Sequence, residues 1–298
     1  MDMTSTELMA GGTVTRREIR VIERIAEMPN TSRPLLAIIG IAALPCFGGA
    51  GMEARLALID SQRTHTVTSI PLGSSAVGQG FLIESEGIQF TVMSYLGAFD
   101  AAPYAAAVNA SLDWPTAGQA LRKATGQIIV AANQPAEDHA AAVKIAYLLT
   151  VVAAAVAGLV DTAFIYWASA DLLVEPAAFE AATVTMLERN EPPLLQWIRF
   201  DVFRGPHGPG GATGGMRSRG LSGFLGYELQ LDPVAMAPVE IARRAVGYSE
   251  HLLREGPTEF GAEMDGPTAG ERIGLLFEEG RQGPLLRMRI LSAGADLP

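Results

Sequence analysis

A chain of 298 residues with 49% hydrophobic and 18% charged residues can bury a large core, which excludes a disordered protein. The 22 Lys and Arg against 32 Asp and Glu give a net charge of −10, and no stretch gathers the positive charge that a nucleic-acid partner demands. The single cysteine, Cys46, excludes an internal disulfide framework and a thiolate zinc cluster, and it reads as a buried structural thiol.

The cations are almost all arginine, the only lysines being Lys123 and Lys144, and alanine, glycine and proline are abundant. This pattern fits the codon bias of a GC-rich bacterial genome. Few cysteines fit a reducing cytoplasm.

In chain order, residues 16–29 predict an amphipathic helix with Ile19, Ile22, Ile25 and Ala26 on one stripe. The apolar run from Pro34 to Leu44 predicts a buried strand, or a stretch upstream of a start at Met52. Export or anchoring through residues 34–44 is the alternative, but the run is short for a bilayer and its leading segment carries Glu18, Glu23 and Glu27. From Arg55 the pattern predicts strands at Leu56–Ile59, Thr66–Ile70, Phe81–Ile83 and Ile88–Tyr95, with Gly-Ser turns between. Pro103 and Pro115 open helices at 103–110 and 115–124, and a strand follows at Gln127–Ala132.

Glu137 and Asp138 place negative charge at the start of a long helix, 137–158. Its apolar part, Ile145–Val160, falls short of a membrane span and predicts a helix buried on all sides of a globular core. A strand at 162–168, a helix from Pro176 to about Arg189 and a strand from Leu194 to Val202 follow. The last third predicts a strand at Leu221–Leu231, a helix from Pro238 to Arg254 closed by Gly256, and strands near 272–277 and 285–291.

Strands joined by single helices, with crossovers and hairpins mixed, predict an α+β fold. Ferredoxin-like βαβ units would form mixed or antiparallel sheets packed with helices. The domain reading is an N-terminal extension at 1–51, an α+β half at 52–135 and a C-terminal α+β region at 136–298. Trp114, Tyr166, Trp167 and Trp197 read as core.

No familiar reaction-bearing set emerges. His65, His139, His207 and His251 are too far apart in sequence to give a helix a two-histidine metal face, so no metal is expected. The stretch Gly220-Leu221-Ser222-Gly223-Phe224 lacks the last glycine of a nucleophile elbow. Carboxylate pairs such as Glu278-Glu279 and Glu84/Glu86 read as solvated. The segment from Gly205 to Gly220 is rich in glycine and ends near Arg217 and Arg219, which would add charge-assisted bonds to an anion. It lacks the lysine and hydroxyl of a phosphate loop, and a flexible glycine-proline connection explains the glycines.

From the long helix onward several segments are characteristic: AAVKIAYLLTVVAAAVAGLVDTAFIYW, then PPLLQWIRFDVFR, MRSRGLSGFLGYELQL, PVEIARRAVGYSEHLLREGP and DGPTAGERI. Together with Asp113-Trp114-Pro115 and the strand ending near Ala132, they resemble bacterial proteins that carry the domain of unknown function numbered 4261. The resemblance covers roughly 88–291. It implies a bacterial, cytoplasmic protein and brings no activity, cofactor or catalytic residue.

The functional expectation is a non-catalytic cytoplasmic binding or interaction protein, pairing with a protein partner or with itself, without cofactor, nucleic acid or membrane. The alternative is an enzyme, or a small-molecule or anion-binding protein, that uses the Gly-rich loop with Arg217 and Arg219.

Overall fold

The structure is a computed structural model. It describes residues 35–292 except 44, 46, 72–76, 97–98, 112, 207–212, 258–262, 268–269 and 281–282. The expected helix at 16–29, Cys46 and His207 lie outside the described residues.

The first half of the chain runs β1 (Leu36–Ile41), α1 (Gly49–Ile59), β2 (His65–Ser69), β3 (Val77–Ser85) and β4 (Ile88–Leu96). A 3₁₀ turn at Ala102–Tyr104 leads into α2 (Ala105–Ala110), followed by α3 (Ala117–Lys123), β5 (Gly126–Ala132), α4 (His139–Ala157), β6 (Thr162–Trp167) and β7 (Leu172–Val174). The rest comprises α5 (Pro176–Arg189), α6 (Leu194–Trp197), β8 (Arg199–Arg204), β9 (Gly214–Arg219), α7 (Ser222–Leu225) and β10 (Glu228–Val234). It ends with α8 (Pro238–Glu255), β11 (Glu263–Asp265), β12 (Arg272–Gly280) and β13 (Gly283–Ser292).

Among the described residues the fold is α+β, with two sheets. The first has seven strands in the order β2-β3-β4-β5-β1-β6-β7, each neighbour antiparallel. Because β5 and β6 both pair antiparallel with β1, they run parallel to each other and α4 joins them. In the same way β1 and β4 flank β5, and the connection between them carries α1. Two interlocked split βαβ units of this kind make the ferredoxin-like core that the alternation of elements predicts. The expected buried strand in the apolar run 34–44 is β1, at the middle of this sheet, so the segment 1–51 supplies a central strand. The sheet also runs across residue 135, from β1 to β7.

Strand alternation sorts the two faces. Ala37, Ile39 and Ile41 of β1 and Ile128, Val130 and Ala132 of β5 point to the main core under α4. Phe164 of β6 points the other way, into a smaller cluster with Tyr104, Ala107, Leu121 and Leu173 beneath α2 and α3. Helix α4 starts where sequence places it, with the Asp138 carboxylate accepting from the Ala141 amide at 2.8 Å. By length and composition it could cross a membrane, but 67% of its most apolar window is buried in this fold.

The second sheet is mixed, in the order β11-β12-β13-β10-β9-β8, with β10 and β13 parallel and every other pair antiparallel. Helix α8 packs on one face through Ile241, Ala245 and Leu252. Stacked rings join the two sheets: Trp167 on Trp197 at 6.3 Å between centroids, and Trp197 on Phe224 at 5.4 Å. The Trp197 indole also donates to Thr150 Oγ1 of α4 at 2.9 Å, in the interior.

Four local expectations are corrected. Leu56–Ile59 closes helix α1 and is not a strand: Met52 and Leu56, four residues apart, share its buried side, while Leu58 is exposed. Residues 194–197 form the short helix α6 before β8 begins. The expected strand at 221–231 opens with α7, and Gly226, with φ of 78°, turns the chain into β10. Residues 214–219, read as part of a loop, are strand β9 at the interior of the second sheet.

Candidate functional site

Arg217 and Arg219 lie two residues apart on β9, so both project from the face of the second sheet opposite α8. Met216 and Ser218 between them are buried. Register builds a row across this open face: Asp201 on β8, Arg217 on β9, Gln230 on β10, Arg287 on β13 and Leu276 on β12. Around this row stand five guanidinium groups, of Arg199, Arg217, Arg219, Arg287 and Arg289, and four carboxylates, of Asp171, Asp201, Asp232 and Glu278.

Most of these charges are committed. Arg199 binds Asp201 at 2.9 Å, Asp171 Oδ2 at 3.3 Å and the Asp171 carbonyl at 2.7 Å. Tyr166 donates to Asp171 Oδ1 at 3.1 Å, and burial pushes its hydroxyl up to about 12. Asp232 takes Arg287 at 2.6 Å and Arg289 at 3.4 Å, and Glu278 takes Arg287 at 3.2 Å. Arg219 reaches Asp171 and Asp201 only at 3.9 and 4.0 Å and is partly exposed.

Arg217 differs. Its Nη2 is buried without a hydrogen-bond partner, and it forms no ion pair with any described residue. The nearest register neighbours offer no relief, since Asp201 is held by Arg199 and Gln230 leans toward Asp232 at 3.5 Å. An uncommitted guanidinium with five donors is suited to a carboxylate or a phosphate.

The glycine-bearing turn after Arg219 does bind an anion, and that anion belongs to the chain. Glu228 accepts from the amides of Gly220, Leu221 and Ser222 at 2.9, 3.2 and 3.2 Å. It also accepts from the hydroxyls of Ser218 and Ser222 at 2.6 and 2.7 Å. Five donors on one carboxylate make this turn a filled nest, so the failed nucleophile elbow is a structural clamp.

A second candidate is a cleft of about 350 Å³ along α4, lined by Val143, Tyr147 and Leu148 of that helix. Arg63, Glu86, Asn190, Leu253 and Arg254 line it together with His139 and Lys144. Arg63 sits 4.8 Å above the Tyr147 ring, and Glu86 bridges Arg63 at 2.9 Å and Lys144 at 3.1 Å. The two cations, Lys144 foremost, hold the Glu86 carboxyl below its ordinary range.

Among the described residues, no group of three His, Cys, Asp or Glu side chains is placed to hold a metal ion. His139 faces two carbonyls, of Phe224 and Leu253 at 3.3 and 3.1 Å, and so ties α4 to α7 and α8. Sequence reasoning found Arg217 and Arg219 but missed Arg199, Arg287 and Arg289. The signal was present as charges two apart, in Arg199/Asp201 and Arg287/Arg289, a spacing that puts both members of each pair on one strand face.

Comparison with profiles of known families, with curated proteins and with solved structures finds no match.

Proposed function

We propose that the protein is a binding protein that takes an anionic group of its partner, a carboxylate or phosphate, on the open face of the second sheet. Arg217 is the contact residue and Arg219 an auxiliary cation at its flank. The observation that carries this reading is the Arg217 guanidinium, partly buried and unspent in a network where neighbouring arginines are paired. A guanidinium kept this way costs stability, because a buried donor without an acceptor loses its hydration and gains nothing. A ligand oxygen would recover that cost. Resemblance to the proteins carrying domain 4261 adds no ligand to this reading.

The test is a thermal-shift titration of the full chain with inorganic phosphate, pyrophosphate, citrate and a polyglutamate peptide. At least one of these should raise the melting temperature of the wild type, and Arg217→Met should abolish the rise. Without ligand, Arg217→Met should melt at or above the wild-type temperature, because it replaces an unsatisfied cation with an apolar chain. A wild type unmoved by every anion, or an Arg217→Met variant that keeps the shift, would overturn the proposal.

A further inference from the structure

Asp60, just past the end of α1, is buried, and His65, the first residue of β2, is half-buried, with each side chain only 2% exposed. Asp60 Oδ2 accepts from Arg63 Nη1 at 2.8 Å and stands 3.9 Å from His65 Nε2. Neither ring nitrogen of His65 has a hydrogen-bond partner, and neither does the hydroxyl of Ser85, its cross-strand neighbour on β3. Arg63 continues from Asp60 to Glu86 and lies over Tyr147, so the same guanidinium walls the α4 cleft.

The charged groups facing this corner are therefore Asp60 from α1, Arg63 from the loop, Glu86 from the β3–β4 turn and Lys144 from α4. Glu53 of α1 reaches β2 further along, at the Val67 amide, 3.4 Å away. A neutral His65 leaves Asp60 wholly to Arg63. A protonated His65 places a second cation beside the same carboxylate oxygen, where both side chains are shielded from most of the solvent.

We propose that His65 is a pH-sensitive latch: on acidification its imidazolium competes with Arg63 for Asp60, loosening β2 and the Arg63 wall of the cleft. Strand β2 is the place for such a release, because it is an edge strand whose one strand partner among the described residues is β3. Burial holds the His65 ring below its ordinary value of 6.5, against the opposing pull of Asp60. The sign follows from that direction. The unfolded chain binds the proton more readily, so stability is complete above about 6.5 and is lost as pH falls toward the lowered folded value.

The experiment is amide hydrogen exchange on the full chain at about pH 7.5 and about pH 5.5, read as protection factors so that intrinsic rates cancel. Residues 65–69 should lose protection at the lower pH in the wild type. His65→Phe and His65→Gln should keep wild-type protection there at the higher pH and lose none at the lower. Equal wild-type protection at both values, or a loss that persists in either variant, would overturn the latch. Anion shifts at Arg217 test a separate site and do not depend on this result.

Discussion

Gly40 carries a constraint that its neighbours in β1 do not. It lies opposite Phe164 of β6, and any Cβ built on it would overlap the Phe164 ring, which is wholly buried. The ring cannot retreat, because Tyr104 and Phe99 pack against it at 5.6 and 5.7 Å. Overfilling a close-packed site costs about 1–3 kcal/mol. Gly40→Val should therefore fall at or beyond the top of that range, and urea denaturation will read it as a lower midpoint with an unchanged slope. Glu228 makes the converse case, a polar side chain whose removal orphans others. Glutamine has one acceptor oxygen for five donors, so Glu228→Gln should destabilise by roughly 1–3 kcal/mol. The same denaturation series measures it, and a neutral result would mean that water replaces the carboxylate in the nest.

At the scale of elements, helix α8 is fastened by a buried ion pair. Arg244 Nε and Nη2 donate to the two oxygens of Glu271 at 2.9 and 2.7 Å, and both side chains are nearly inaccessible. Glu240, one turn earlier, adds a bond to Nη1 at 2.8 Å. Arg244→Leu alone leaves the Glu271 charge buried and should cost roughly 3–5 kcal/mol, whereas Arg244→Leu with Glu271→Leu should recover most of it. A thermodynamic cycle over the three variants checks this, and an equal loss in single and double variants would reject it. Helix α8 was legible in the sequence because its apolar positions recur at helical spacing and Pro238 and Gly256 bound it. The pairing of Arg244 with Glu271 was not legible, since the partners lie 27 residues apart and meet only after the β11–β12 turn closes. The same holds for the candidate site. Arg217 and Arg219 stood out by composition, but their neighbours Arg199, Asp201 and Arg287 come from strands joined by long connections. Helix α1 was misread because Leu56-Ala57-Leu58-Ile59 is too short to separate helical from strand spacing.

For the molecule as a whole, the question is whether the two sheets unfold together. One continuous core runs from Ile39 and Val130 of the first sheet through Ile145 and Val152 of α4 to Leu231 and Met288 of the second. Trp197 sits at the junction, fully buried, stacked between Trp167 and Phe224 and bonded to Thr150. Its loss removes apolar area from both sides and leaves the Thr150 hydroxyl without its indole donor, so Trp197→Ala should cost roughly 3–5 kcal/mol. A shared core also predicts one cooperative transition in the wild type, seen alike by far-ultraviolet circular dichroism and by tryptophan fluorescence. In Trp197→Ala the junction is the weakest place in the core, and the two probes should separate, the second sheet melting first because, among the described residues, helix α8 packs on one of its faces and no helix on the other. Coincident probes in that variant would show that the remaining contacts of α4 with α7, and of α6 with α8, suffice to hold the sheets as one unit.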